Sequence, residues 1–214
     1  MSVQEVLRSI FHPTKARLWI DDLKELLASS SRVTGKPVET LVGRLNHIGH
    51  ILPTGRYFLN RIRFLLQKII KYGAQHIQEP VREDMKLWED FISHACSTGV
   101  IINDICYTQW TRTIITDACE HGIGGFCVET DRAWRYRLPP ELIGRLHINI
   151  IEFCASVIGI WVELNEYAGP HPRFMTLFDS TSVLRWLHKS NFNLITHKRH
   201  DIVARKLARL LLKH

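Results

Sequence analysis

Apolar residues recur every three to four positions through the first hundred residues, and the pattern then shifts towards alternation. Val6, Ile10 and Phe11, followed by Leu18, Trp19, Leu23, Leu26 and Leu27, stand at helical spacing. Residues 1–31 therefore read as helix, divided into two short pieces by Pro13. A polar break, Ser29-Ser30-Ser31 and Thr34-Gly35-Lys36-Pro37, comes next. Residues 38–72 read as a helical hairpin. Leu41, Leu45, Ile48 and Leu52 share one face, Pro53-Thr54-Gly55 signals the turn, and Phe58, Leu59, Ile62, Leu65 and Leu66 continue beyond it. A further helix over Val81–His94 carries Met85, Leu87, Trp88, Phe91 and Ile92, and Ser97-Thr98-Gly99 ends it.

Helical periodicity gives way near Thr108–Arg112, which sets a domain boundary: a mostly helical region over 1–108 and a mixed region over 109–214. Thr111–Asp117, Gly124–Thr130 and Ala133–Leu138 read as three strands of a meander, and Pro139-Pro140 closes it. The glycines Gly122, Gly124 and Gly125 allow a sharp hairpin and close approach of another backbone. His147–Leu164 reads as a helix, Arg173–Phe178 as a fourth strand, Val183–Lys189 as a helix capped by Ser180-Thr181-Ser182, and Asp201–Lys213 as a last basic helix. The expected fold class is α/β (α+β), a mixed sheet preceded by a helical region. Strand four should lie parallel to strand one, with the intervening helix as crossover.

Composition narrows this only slightly. The 214 residues are 45% hydrophobic and 23% charged, ordinary for a globular chain with a sizeable core. No run of eighteen or more apolar residues stands out, and the opening MSVQEVLRSIF does not read as a signal peptide, so neither a transmembrane helix nor a membrane partner is expected. Five cysteines without CxxC spacing argue against a disulfide framework or a zinc ribbon, and point to reduced thiols in an intracellular protein, cytoplasmic or nuclear. The net charge of +7 is compatible with a nucleic-acid partner. Arg56, Arg61 and Arg63 on the helical hairpin, and Lys198, Arg199 and Arg205 in the last basic segment, are the candidates to hold a phosphate backbone; an ordinary solvated face is the alternative.

The candidate chemistry lies in three acids. Asp117 ends strand one, Glu152 interrupts an apolar helix, and Asp179 follows strand four. Taken singly, each has a plain structural role open to it: turn starter, salt-bridged helix residue, helix N-cap. With strands one and four side by side, the two aspartates become neighbours and Glu152 can face the same spot. Carboxylates gathered in this way repel one another unless cations neutralise them. Oxygen-only ligands suit magnesium or manganese, and two such ions can clamp the attacking water and the leaving oxygen of a phosphodiester.

Thr116-Asp117-Ala118 with Gly122–Gly125, then His147-Ile148-Asn149-Ile150-Ile151-Glu152-Phe153, then Asp179-Ser180-Thr181-Ser182-Val183-Leu184-Arg185-Trp186-Leu187, resemble the ribonuclease H domain of retrotransposon reverse transcriptases. The likeness runs from about Arg112 to the end of the chain. Upstream, Leu41-Val42-Gly43-Arg44-Leu45-Asn46-His47 through Pro53-Thr54-Gly55-Arg56 looks like the helical thumb or connection region of the same polyproteins. The resemblance implies a three-layer ribonuclease H-like domain, preceded by that helical region. It further implies hydrolysis of the RNA strand of RNA–DNA hybrids with two Mg2+ or Mn2+ ions, and Asp117, Glu152 and Asp179 as catalytic and metal-binding residues.

The departures from the family pattern define the alternative. A fourth acid on a later helix has no counterpart, Asp201 reads as a helix cap, and the polymerase's paired-aspartate hairpin is absent. No polymerase activity is expected. The chain reads as an excerpt of a retroelement polyprotein, truncated at both ends, and the alternative is a catalytically inactive nucleic-acid-binding remnant.

Overall fold

The helical periodicity of the first half becomes four helices: α1 (Pro13–Ala28), α2 (Gly35–Ile48), α3 (Arg56–Tyr72) and α4 (Glu79–Thr98). They are seen in a computed structural model that describes residues 8–9, 13–101, 110–169, 173–180, 183 and 198–212. The chain divides into two compact units, Met1–Thr108 and Gln109–His214. In the first, α1 packs on α4, α2 on α3 and α3 on α4. The expected apolar stripes supply the core: Leu41, Leu45 and Ile48 of α2, Phe58, Leu59 and Ile62 of α3, and Met85, Leu87, Trp88 and Ile92 of α4 are fully buried. Gly55 is required at its turn, because a Cβ there would stand 2.6 Å from the Trp88 ring.

The start of the chain departs from expectation. Pro13 opens α1 instead of dividing two helices, since its missing N–H costs nothing at a first helical position. Before it, Arg8–Ser9 forms a short strand, β1, paired antiparallel with β2 (Val100–Ile101). Residues 1–7 and 10–12 of the expected N-terminal helix lie outside the described residues.

In the second unit β3 (Arg112–Cys119), β4 (Gly122–Cys127) and β5 (Arg132–Arg137) form an antiparallel meander. Helix α5 (Ile148–Glu166) crosses over to β6 (Phe174–Leu177), which pairs parallel to β3. The sheet order is β5-β4-β3-β6, a mixed sheet in an α+β unit. Helix α6 (Lys198–Leu211) packs on α5. Ile114, Ile160, Leu164 and Leu207 join sheet and both helices in one cluster; Ile123, Leu138, Ile151 and Ala155 make a second. Both clusters lie on the sheet face covered by α5. On the other face Ile115 and Leu177, paired in register, are 43% and 45% exposed.

The glycines do not form the hairpin. Glu120 and His121 make the turn, and Gly122, Gly124 and Gly125 sit inside β4. Gly125 leaves room for the Trp134 ring, which would lie 2.5 Å from a Cβ at that position. At Gly159 of α5 a Cβ would come within 2.9 Å of Ile114 Cγ2, so this glycine sets how closely the helix approaches β3. Helix α5, with mean hydropathy 1.4, is long and apolar enough by length and composition to cross a membrane. Half of that stretch is buried inside the unit, the setting of a core helix. The expected helix over Val183–Lys189 lies outside the described residues apart from Val183, whose N–H donates to Ser180 Oγ at 3.3 Å.

Candidate carboxylate site at the end of the sheet

The pleat of β3 fixes where Asp117 points. Ile114 and Thr116 are buried beneath α5, so Asp117 faces the opposite, open side of the sheet and is exposed. Its Oδ1 accepts the Ala118 N–H at 2.8 Å, which orients the carboxylate and leaves the second oxygen available. The parallel register runs Arg112↔Phe174 through Ile115↔Leu177, where β6 ends. Asp179, also exposed, follows two residues beyond the last pair, in a bend outside the ladder, just as Asp117 lies two residues beyond Ile115 on β3.

Glu152 approaches from the covered face. Helix α5 runs antiparallel to β3. Gly159 lies against Ile114 and Thr116, Ser156 Oγ stands 3.3 Å from Thr116 Oγ1, and Ile151 and Ala155 pack near Ala118. Glu152, one turn before Ser156, thus lies over the C-terminal end of β3. Its Oε2 is buried and has no hydrogen-bond partner. Since β3 runs on to Cys119 after β6 has stopped at Leu177, the edge of β3 is left without a described strand partner on that side. Asp117 faces the open side of this stretch of β3, and Glu152 lies over its covered side. Crevices outside the carboxyl ends of parallel strands are the usual ligand sites of such sheets.

The fit to divalent cations is partial. An oxygen-only donor set and an orphaned buried carboxylate oxygen suit a hard cation. Among the described residues, however, no group of three or more His, Cys, Asp or Glu side chains is close enough to share one ion.

The basic residues singled out in the sequence are largely engaged within the chain. Arg56 Nε donates to Gly49 O at 2.6 Å and its guanidinium meets His50 Nδ1 at 3.1 Å, closing the end of α2. Arg61 donates to both carboxylate oxygens of buried Asp84, at 3.0 and 3.2 Å, and ties α3 to α4. Arg63 donates to Asn46 Oδ1 at 2.5 Å. Arg205 is buried and pairs with Asp201 at 3.0 Å within α6, which gives Asp201 its place in the first turn of that helix. Arg61 and Arg205 thus face inward as members of ion pairs and do not present surface cations. Lys198 and Arg199 begin α6, and their side chains lie outside the described residues.

Two cations that the sequence reading passed over do face solvent. Arg135 and Arg137, alternate residues of β5, are exposed and line an open concavity of about 620 Å3 together with Asp117, His121, Gly122 and Gly124. The signal for them was the alternation in Ala133-Trp134-Arg135-Tyr136-Arg137 beside a glycine-rich strand. Nearby, Trp134 packs on Gly125, whereas Trp110 and Trp161 are exposed. The described cysteines, Cys96, Cys119, Cys127 and Cys154, are free thiols, and burial pushes the Cys154 thiol above its ordinary pKa.

Comparison of the chain with protein families, with curated proteins and with solved structures finds no match to any of them.

Proposed function

We propose that the second unit is a ribonuclease H-like hydrolase domain of retroelement reverse-transcriptase type, acting on the RNA strand of RNA–DNA hybrids, and that the first is the helical thumb- or connection-like region of the same protein. An intracellular setting, cytoplasm or nucleus, goes with this reading. What supports it is the placement of Asp117 near the end of β3, of Glu152 on the turn of α5 that lies over that end, and of Asp179 two residues after β6, with a buried oxygen of Glu152 lacking any partner. The order strand, helix, strand in which the acids occur adds support.

In this reading Asp117, Glu152 and Asp179 hold two Mg2+ or Mn2+ ions. Such ions, when bound, activate water and neutralise charge on a phosphodiester. The chain's own contribution is positional. The Ala118 N–H holds the Asp117 carboxylate in one orientation. The bond from Ser156 Oγ to Glu152 O and the contact of Ser156 with Thr116 fix the turn of α5 that presents Glu152. Ser180 Oγ, accepting the Val183 N–H, shapes the chain just after Asp179. Cleavage of a labelled RNA–DNA hybrid in magnesium, compared between the protein and its Asp117→Asn form, tests the proposal. Loss of cleavage in the variant is expected, and equal activity in the two refutes it.

A second reading, a nucleic-acid-binding remnant without catalysis, is favoured by the absence of a three-ligand group among the described residues. It is distinguished by salt-sensitive hybrid binding with no cleavage in either form.

A further inference from the structure

We infer that Arg135 and Arg137 form a rail for successive phosphates of a nucleic-acid strand, holding it across the open face of the sheet beside Asp117. The nucleic-acid class of the ligand rests on the functional reading above; the rail itself rests on the geometry of β3, β4 and β5.

Residues directly opposite one another in an antiparallel sheet share a face. Asp117 is opposite Gly124, and Gly124 is opposite Arg135. One step along, Cys119 is opposite Gly122, and Gly122 is opposite Arg137. The middle strand therefore presents no side chain at either step. What remains is a lane about 10 Å wide, two strand spacings, floored by glycine backbone. Asp117 and Cys119 stand on one side and the two arginines on the other. The concavity of about 620 Å3 is this lane together with the adjoining hairpin.

The arginines are available to a ligand. Other arginines of the same unit are committed: Arg112 lies 3.7 Å from buried Glu163 and over the Tyr167 ring, Arg132 is 3.2 Å from Glu166, and Arg205 is paired with Asp201. Among the described residues neither Arg135 nor Arg137 has an ion-pair, hydrogen-bond or ring partner. An unpaired guanidinium fork matches a phosphate with two parallel hydrogen bonds. Alternate residues on one strand lie about 7 Å apart, close to the separation of neighbouring phosphates along a nucleic-acid strand. A single enclosed anion would instead need donors converging on one point. Here the donors are set in a row along an open lane, which favours an extended polyanion. The acid on the far side keeps the strand from settling there without a bridging cation, so the rail also sets the strand's lateral position relative to Asp117.

The lane can be blocked without rebuilding the fold. A Cβ at Gly124 meets nothing closer than Trp134 O at 3.4 Å, an ordinary contact, and valine suits a strand. The test measures binding of a fluorescent RNA–DNA hybrid to the full chain by anisotropy, in EDTA and across a salt series. Four proteins are compared: the unaltered chain, Arg135→Ala/Arg137→Ala, Gly124→Val, and a charge-matched control, Lys36→Ala/Lys86→Ala. Melting curves check that each is folded. Expected are at least a tenfold loss of affinity in the arginine variant, a salt slope shallower by about two, and a comparable loss in Gly124→Val, with the control unchanged. Affinity and slope equal to the unaltered chain in the arginine variant, or an equal loss in the control, would overturn the rail. So would competition by polyglutamate as effective as that by the hybrid at equal charge. Cleavage scored in parallel separates the two claims. Binding lost in the arginine variant, with no cleavage by any form, sinks the nuclease reading and keeps the rail. Cleavage abolished by Asp117→Asn, with binding untouched in the arginine variant, keeps the nuclease and sinks the rail.

Discussion

Glu152 offers a test that does not depend on activity. Its Oε2 is buried without a partner, on a helix that is otherwise apolar where it meets the sheet. A buried acceptor left unmade costs about 1–3 kcal/mol, and more for a charged group. Glu152 is only partly buried, which places the cost at the low end of that range. Replacing the carboxylate with the isosteric amide removes the charge and keeps the volume. Glu152→Gln should therefore stabilise the metal-free protein by about 1 kcal/mol, equivalent to a rise in Tm of about 4 °C for a unit of this size. A divalent cation that binds only the folded protein reverses the order. At a concentration a hundred times its Kd it adds about 2.7 kcal/mol to the unaltered chain. The amide variant, short of one anionic ligand, should gain much less. The assay is thermal melting of the full chain followed by circular dichroism, in EDTA and in a magnesium series. A Glu152→Gln protein that melts lower in EDTA, or that gains as much from magnesium as the unaltered chain, would show that Glu152 is an ordinary structural residue.

The remaining predictions concern what holds the units together. Asp84→Ala should destabilise the helical unit by about 3 kcal/mol in urea denaturation, because it removes the buried carboxylate that takes both bonds from Arg61 and ties α3 to α4; adding Arg61→Met should recover part of the loss, and no recovery would contradict the pairing. Gly159→Ala gains about 1 kcal/mol of helix propensity but forces a methyl against Ile114 and Thr116, at a cost of about 1–3 kcal/mol, so a net loss of stability is expected by the same measurement. Slight burial raises the Glu129 carboxyl, but hydrogen bonds from Thr113 N, Thr113 Oγ1 and Cys127 Sγ outweigh it and hold the pKa below its ordinary value. That stabilisation is present above the unfolded carboxyl pKa and is lost as pH falls through the lowered folded value. Glu129→Gln should accordingly flatten the acid limb of the stability curve and leave stability at neutral pH lower than that of the unaltered chain.

The division at residue 108, the helical spacing before it and the crossover from β3 through α5 to β6 were legible because each rests on a local period or a handedness rule. The hairpin expected of the β4 glycines was misread for a physical reason, while the close approach of another backbone expected of them holds at Gly122, where a Cβ would stand 2.8 Å from Tyr136 O. Glycine serves a tight turn and a crowded strand equally well, and only the tertiary neighbour, the Trp134 ring over Gly125, decides between them. The fate of the arginines was likewise hidden. A charge run on a helix looks the same whether its partners are solvent, nucleic acid or residues distant in sequence such as Asp84, twenty-three positions from Arg61. The acids were visible as types, two at or after strand ends and one within a helix, but not the face each one takes.

That last point bears on how a site can form at all. Asp117 and Glu152 approach from opposite faces of the sheet, and a continuous ladder between β3 and its neighbour would keep them apart. The early end of β6 at Leu177 removes that barrier. A longer β6 would pair with Thr116–Cys119, fill the edge with backbone and carry Asp179 into the ladder. Its shortness therefore has a chemical consequence in the proposed reading: the edge of β3 beyond Ile115 is left to side chains, and the chain bends at Asp179, just before Ser180, whose hydroxyl accepts the Val183 N–H. Changing Ser180 to Ala should remove that bond beside Asp179. Its effect should then fall on the site, as weaker magnesium-dependent stabilisation, with little change in metal-free melting. A variant that lowers the metal-free Tm by as much as Gly159→Ala would place the residue in the fold's support and not in the shaping of the site.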